Sequence, residues 1–215
     1  MKLLLTSNGL VNESIVNGMI KLLGKPVAGL KLAFIPTAAN VEVDDKHWLI
    51  DDYNHCLRAG LELDIVDISA LSADQWRPRL EQADILLFGG GNTFHLMHWM
   101  NKSRLVGLLT ELLATRIYVG ISAGSCIVGS TIRNPVQDLF DEDYHLDVTK
   151  GLGLVDFQIV PHLNSPYFSK IRADEIKLAA TGLGQTIYAL DDQSAVLVDN
   201  GQIELTSEGV WYKFN

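Results

Sequence analysis

A serine stands between two glycines in Gly120-Ile121-Ser122-Ala123-Gly124, directly after the β-branched and aromatic run Arg116-Ile117-Tyr118-Val119. A G-x-S-x-G sequence at a strand-to-helix turn is the nucleophile-elbow pattern, in which a sharp turn leaves the serine hydroxyl standing clear at the strand's carboxyl end. Glycines flank the serine because side chains there would collide with the turn or block a substrate. The small apolar run Ser125-Cys126-Ile127-Val128-Gly129 could then open a helix, whose first N–H groups favour developing negative charge. A tight turn built from Gly and Ser for purely structural reasons is the competing reading.

A serine hydroxyl is a poor nucleophile until a base takes its proton, and the base needs an orienting partner. Six histidines compete for that role: His47, His55, His95, His98, His145 and His162. His162 follows Phe157-Gln158-Ile159-Val160-Pro161 and so stands at a strand's carboxyl end, where open α/β sheets place their sites. His145, in an acidic segment, is the second choice. His47 and His55 fall on a helical pattern and read as solvated or packed. His95 and His98 are three apart, a spacing zinc could use, but no further ligands of fitting spacing lie nearby.

The triple glycine 89–91 ends another apolar strand. Neither G-x-x-x-x-G-K-[ST] nor G-x-G-x-x-G is present, so no nucleotide site, and no cofactor, is expected. A bare backbone beside the elbow, placing an N–H on a substrate carbonyl, is the alternative.

These residues need a scaffold that gathers strand ends. Leu3-Leu4-Leu5, 31–36, 63–68, 84–88 and 116–119 read as strands, with helical patterns over 10–23, 44–59, 72–82 (with a possible interruption at Pro78), 93–100 and 104–114 between them. Alternation of this kind implies a doubly wound, mostly parallel sheet with helices on both faces, a three-layer α/β/α sandwich. Residues 130–156, with Pro135 and the acidic Asp138, Asp141, Glu142, Asp143 and Asp147, read as a long loop. The pattern then resumes with strands at 157–160 and 186–190 around a helix at 169–181. The last 25 residues read as hairpins, with Asn200-Gly201 as the strongest turn signal.

The chain has 215 residues, 47% of them hydrophobic and 20% charged, and a formal net charge of −9. One domain over 1–215 fits that length. The acidic balance argues against a nucleic-acid partner. Cys56 and Cys126 are too few for a disulfide framework, and no apolar run approaches a membrane span, so a cytoplasmic protein with no membrane partner is expected.

Three stretches taken together resemble peptidase E: Phe88-Gly89-Gly90-Gly91-Asn92-Thr93-Phe94, then Tyr118-Val119-Gly120-Ile121-Ser122-Ala123-Gly124, then residues 151–162 ending in Val160-Pro161-His162. The resemblance runs in order along nearly the whole chain. It implies a serine hydrolase on a class I glutamine-amidotransferase-like fold, related to the aspartyl dipeptidases and the cyanophycinases. By position it implies Ser122 as nucleophile, His162 as base, and Gly91 and Ala123 as oxyanion N–H donors. The family's acid lies in a Gly-Leu-x-Glu-Gly pattern, and Ala189-Leu190-Asp191-Asp192-Gln193 stands at its place with aspartate for glutamate and glutamine for glycine, which points to Asp192. Asp138, between serine and histidine, is the alternative acid. Asp192 is favoured because a strand end holds a carboxylate more rigidly than an acidic loop. Arg172 matches the arginine that binds a substrate carboxylate.

The expected activity is that of an exopeptidase cleaving dipeptides after an N-terminal aspartate, with a small peptide as its partner and a monomer or homodimer as its state. A cyanophycinase-like hydrolase of other acidic peptides, or an amidotransferase-like binding module without turnover, are the alternatives.

Overall fold

The computed structural model describes residues 1–142 and 147–215; Asp143 and His145, both singled out above, lie outside the described residues. Leu3, Leu4 and Leu5 are fully buried because β1 (Lys2–Thr6) lies inside the sheet with a neighbour on each edge. Asn12 caps α1 (Glu13–Leu23) by accepting the Ile15 N–H, and Gly24, at φ 70°, ends it. The helix therefore starts three residues later than its apolar pattern, at the cap. Next come β2 (Lys31–Ile35), a 3-10 turn at Thr37–Val41, α2 (His47–Arg58), β3 (Glu62–Ile65) and α3 (Ala73–Gln82). Pro78 does not interrupt α3. The backbone bond it forfeits would have gone to Asp74, exposed in the first turn where water can reach it, while buried Trp76 and Leu80 hold the helix down.

The chain continues with β4 (Ile85–Phe88), α4 (Thr93–Lys102), α5 (Leu105–Leu112), β5 (Ile117–Ile121) and the one-turn α6 (Ala123–Cys126). After the long loop come β6 (Phe157–Val160), α7 (Ala173–Ala179), β7 (Thr186–Leu190), β8 (Ser194–Asp199), β9 (Gln202–Ser207) and β10 (Trp211–Phe214).

Seven strands form one sheet in the order β3-β2-β4-β5-β1-β8-β9; the first five are parallel and β8 and β9 are antiparallel additions. Side chains alternate across it. Leu3, Leu5, Ala33, Ile35, Leu86, Phe88 and Tyr118 join α3, α4 and α5 in one core. Leu4, Leu32, Phe34, Ile85, Leu87, Ile117 and Val119 join α1 and α2 in the other. The fold is thus the mixed α/β, three-layer sandwich that the alternation implied. The hairpin between β8 and β9 turns at Asn200 and Gly201, both at positive φ as a type I′ turn requires.

The sheet does not simply resume after the long loop. β6 and β7 pair in parallel with each other, β10 joins β7, and these three make a separate small sheet. The edge of β1 that they would need is taken by β8. One face of the small sheet, with Phe157, Ile159, Tyr188 and Leu190, enters the core under α3 to α5. The other, with Val160, Ile187 and Ala189, is covered by Ile176 and Ala180 at α7. Among the described residues no helix is long and apolar enough to cross a membrane.

Candidate active site

Two sheets present their carboxyl ends to one another. In the large sheet the register sets Thr6 beside Ile121 and Gly120 beside Phe88, so Ser7, Ser122 and the 89–91 glycines all emerge at one edge. In the small sheet Val160 pairs with Ala189, which brings His162 and Asp192 out together. A contact from Cys126 Sγ to the Ile159 carbonyl, 3.6 Å long, ties α6 to β6 across the gap.

The turn at Ser122 is strained. Its backbone lies at φ 48°, ψ −108°, where a side-chain-bearing residue pays on the order of 1–3 kcal/mol. The surroundings enforce it. Ser122 N–H donates to the Thr6 carbonyl at 3.1 Å, Ser125 Oγ donates to the same carbonyl at 2.7 Å, and the Tyr118 hydroxyl donates to Gly124 O at 2.6 Å. Both flanking glycines are required by close approach. A Cβ on Gly124 would stand 2.0 Å from Phe88 O, and one on Gly120 would stand 2.7 Å from the Gly124 carbonyl group.

His162 Nε2 lies 3.0 Å from Ser122 Oγ, and His162 Nδ1 lies 2.7 Å from Asp192 Oδ1. With a proton on Nδ1 donated to Asp192, Nε2 is left to accept the Ser122 O–H. Burial pushes the Asp192 carboxyl up. The hydrogen bond and charge of His162 and the bond from Ser7 outweigh burial and hold it below its ordinary value, so it is a carboxylate at neutral pH. Aspartate loses a methylene of reach relative to glutamate, yet from its place just beyond β7 its oxygen meets the imidazole. His162 itself has φ 62°, and Phe168 stacks on its ring.

The glycine loop borders the serine. A Cβ on Gly90 would be 3.4 Å from Ser122 Cβ, and Gly91, at φ 119°, could carry none without meeting Ala38 backbone at 2.5 Å. Among the described residues no acceptor is paired with the N–H of Gly91 or of Ala123. Asn92 caps α4 through the His95 N–H, and Glu142 accepts both the N–H and the hydroxyl of Thr93 at 2.9 Å. Burial pushes the Glu142 carboxyl up to about 7 against those bonds.

The site residues read from sequence divide. Ser122, His162 and Asp192 are brought together. Asp138 is exposed on a 3-10 turn at Gln137–Phe140 and makes no contact with His162. Arg172 is the N-cap of α7 and not part of that helix, which spans Ala173–Ala179 and not 169–181, because the Ile171 carbonyl is bonded back to the Asn164 N–H and the Ile171 N–H to Phe168 O in the preceding loop. Its Nη1 donates to Phe168 O and Ile171 O and its Nη2 to Ser165 O. Away from the site, His47 is exposed on Asp45, and His95 and His98 flank Trp99. Two contacts escaped the sequence: Ser7, whose only signal was its place just past a buried strand, and Phe168, which carried none.

The family model for Peptidase family S51 matches residues 3–206. The chain is similar to an uncharacterized peptidase of Pasteurella multocida (strain Pm70), 30% identical over 171 residues, which is 79% of this chain and 81% of the relative. It is also similar to peptidase E of Shewanella baltica (strain OS195), 39% identical over 108 residues, 50% of this chain and 43% of that one. A crystal structure of a protein from Listeria monocytogenes EGD-e, provisionally named a peptidase E, superposes with a TM-score of 0.81 over 97% of this chain and 98% of that chain. At 24% identity that likeness concerns the fold.

Proposed function

The chain belongs to peptidase family S51 and is a serine peptidase; from the arrangement of its site we propose that it hydrolyses dipeptides after an N-terminal aspartate through an acyl-enzyme on Ser122. His162 Nε2 takes the hydroxyl proton as Oγ attacks the scissile carbonyl, and the oxyanion settles against the N–H groups of Gly91 and Ala123. The imidazolium then gives its proton to the leaving amine. Water, deprotonated by the same nitrogen, releases the acyl group. Asp192 keeps the imidazole in its tautomer and stabilises its charge.

The observation that carries the reading is the chain of contacts at 3.0 Å and 2.7 Å through one imidazole. Arg172 is the proposed reader of the aspartate carboxylate. Three of a guanidinium's five N–H donors go to loop carbonyls, which leaves two for a bidentate carboxylate.

A panel of Asp-X, Glu-X, isoaspartyl and neutral dipeptides tests the specificity, and intact-mass analysis of enzyme quenched with an aspartyl ester tests the intermediate. Faster turnover of Asp-X and an acyl adduct absent from Ser122→Ala are expected. Equal turnover of a neutral dipeptide, or no adduct, would overturn the respective half.

A further inference from the structure

Ser7 lies just beyond β1, belongs to neither the elbow nor the histidine loop, and is fully buried. Its hydroxyl makes two close contacts. It donates to Asp192 Oδ1 at 2.8 Å, the oxygen that also meets His162 Nδ1, and it accepts the backbone N–H of His162 at 2.7 Å. Its Oγ is also 3.4 Å from Nδ1 itself. The preceding residue, Thr6, accepts the Ser122 N–H on its carbonyl and donates its hydroxyl to Gly120 O at 2.8 Å. Two consecutive residues at one strand end therefore hold the serine turn with one and the histidine and its acid with the other.

The need for such a tie follows from the topology. Ser122 hangs from the large sheet, while His162 and Asp192 hang from the small one, and among the described residues no strand pairing joins the two sheets. His162 moreover sits at φ 62°, a conformation a histidine keeps only when its surroundings hold it there. The Ser7 hydroxyl fixes the backbone of that strained residue with its lone pair and aims the carboxylate with its proton.

We propose that Ser7 is a positioning residue of this peptidase, a hydroxyl on the large sheet that locks the His162 backbone to the Asp192 carboxylate so that the imidazole meets Ser122. The proposal rests on the reading of Ser122, His162 and Asp192 as a triad. Ser7 touches no reacting atom. Its effect passes through Asp192 and His162, and a side chain that merely filled space would not depend on the acid.

The rate of Ser122 modification by a fluorophosphonate probe, followed by intact mass, tests this in the full chain. Wild type should label and Ser122→Ala should not. Ser7→Ala should label about tenfold to a hundredfold more slowly, the scale of losing a hydrogen bond to a charged group. In an Asp192→Asn background the same change should slow labelling by less than about threefold, because the acid it aims is gone. Ser7→Cys fills the same space with a weak donor and acceptor and should slow labelling comparably, which keeps the test available if alanine disturbs folding. Labelling of both variants at the wild-type rate, or equal slowing with and without the Asp192 carboxylate, would overturn the proposal and leave the triad standing. Failure of wild type to label would overturn the triad reading, and this role of Ser7 with it.

Discussion

Phe168 lies stacked on the His162 imidazole, their ring centroids 4.6 Å apart and their planes 12° from parallel. The ring is held in turn by an edge contact with Phe140, from the far side of the long loop, and by a backbone bond from its own N–H to Ser165 O. Through this stack the loop at 163–171 becomes one wall of the site, and Arg172 clamps its carbonyls. Arg172 holds this wall through its bonds to the loop carbonyls, and in the proposed function it also receives the substrate carboxylate.

Arg172→Met separates those two services. Loss of the carboxylate contact should raise KM for an Asp-X dipeptide by about ten- to a hundredfold, corresponding to roughly 1.5–3 kcal/mol, and leave a neutral dipeptide much less affected. A fall in kcat of equal size on both substrates would restrict Arg172 to the clamp.

The acid is tested by one pair of variants. Asp192→Asn removes the charge that orients His162 and should lower kcat by a factor approaching ~10⁴, a scale taken from serine-protease triads in general. Asp138→Asn, at an exposed turn away from the imidazole, should leave kcat within about twofold of wild type. An exchange of these phenotypes, measured on one substrate, would reassign the acid.

Asp52 offers a pH test of stability distinct from catalysis. It is only 4% exposed on α2, and burial, with the neighbouring Asp51 charge, pushes its carboxyl from 3.8 up to about 8. Below pH 3.8 both folded and unfolded chains hold the proton. Between there and pH 8 the unfolded chain releases a proton that the folded chain retains, so this group lowers stability as pH rises, by at most about 1.4 kcal/mol per unit. Asp52→Asn does not titrate. Urea unfolding should find it increasingly more stable than wild type from pH 4 to pH 8, and parallel pH profiles of the two proteins would contradict the burial of a protonated carboxyl.

Much of this fold was legible in the sequence, because buried parallel strands such as 84–88 and 116–119 are largely apolar runs, Ser72 and Asn92 mark helix starts in their side chains, and Gly24 marks a helix end by lacking one. The tight turn at 120–124 was legible for the same local reason, since its glycines answer to atoms a few residues or one strand away. The small sheet was not. Whether β6 joins β1 or pairs with β7 depends on which partner takes the β1 edge, and nothing within Phe157-Gln158-Ile159-Val160 states that β8 takes it. Ser7 escaped for a related reason: its partners lie 155 and 185 residues away in the chain. Rigidity at a strand end favours Asp192 over Asp138 in the sequence alone, whereas Arg172 fell inside the helix expected over 169–181 and the carbonyls it meets belong to the loop before α7.

Whether Ser122 and His162 act as one unit is read from kcat for Ser122→Ala, His162→Ala and the double variant on a single Asp-X dipeptide. Each single change should lower kcat by a factor on the order of 10⁴ to 10⁶, and the double variant should be little worse than either. Losses that multiply in the double variant, or a Ser122→Ala enzyme that keeps appreciable turnover, would contradict a single unit.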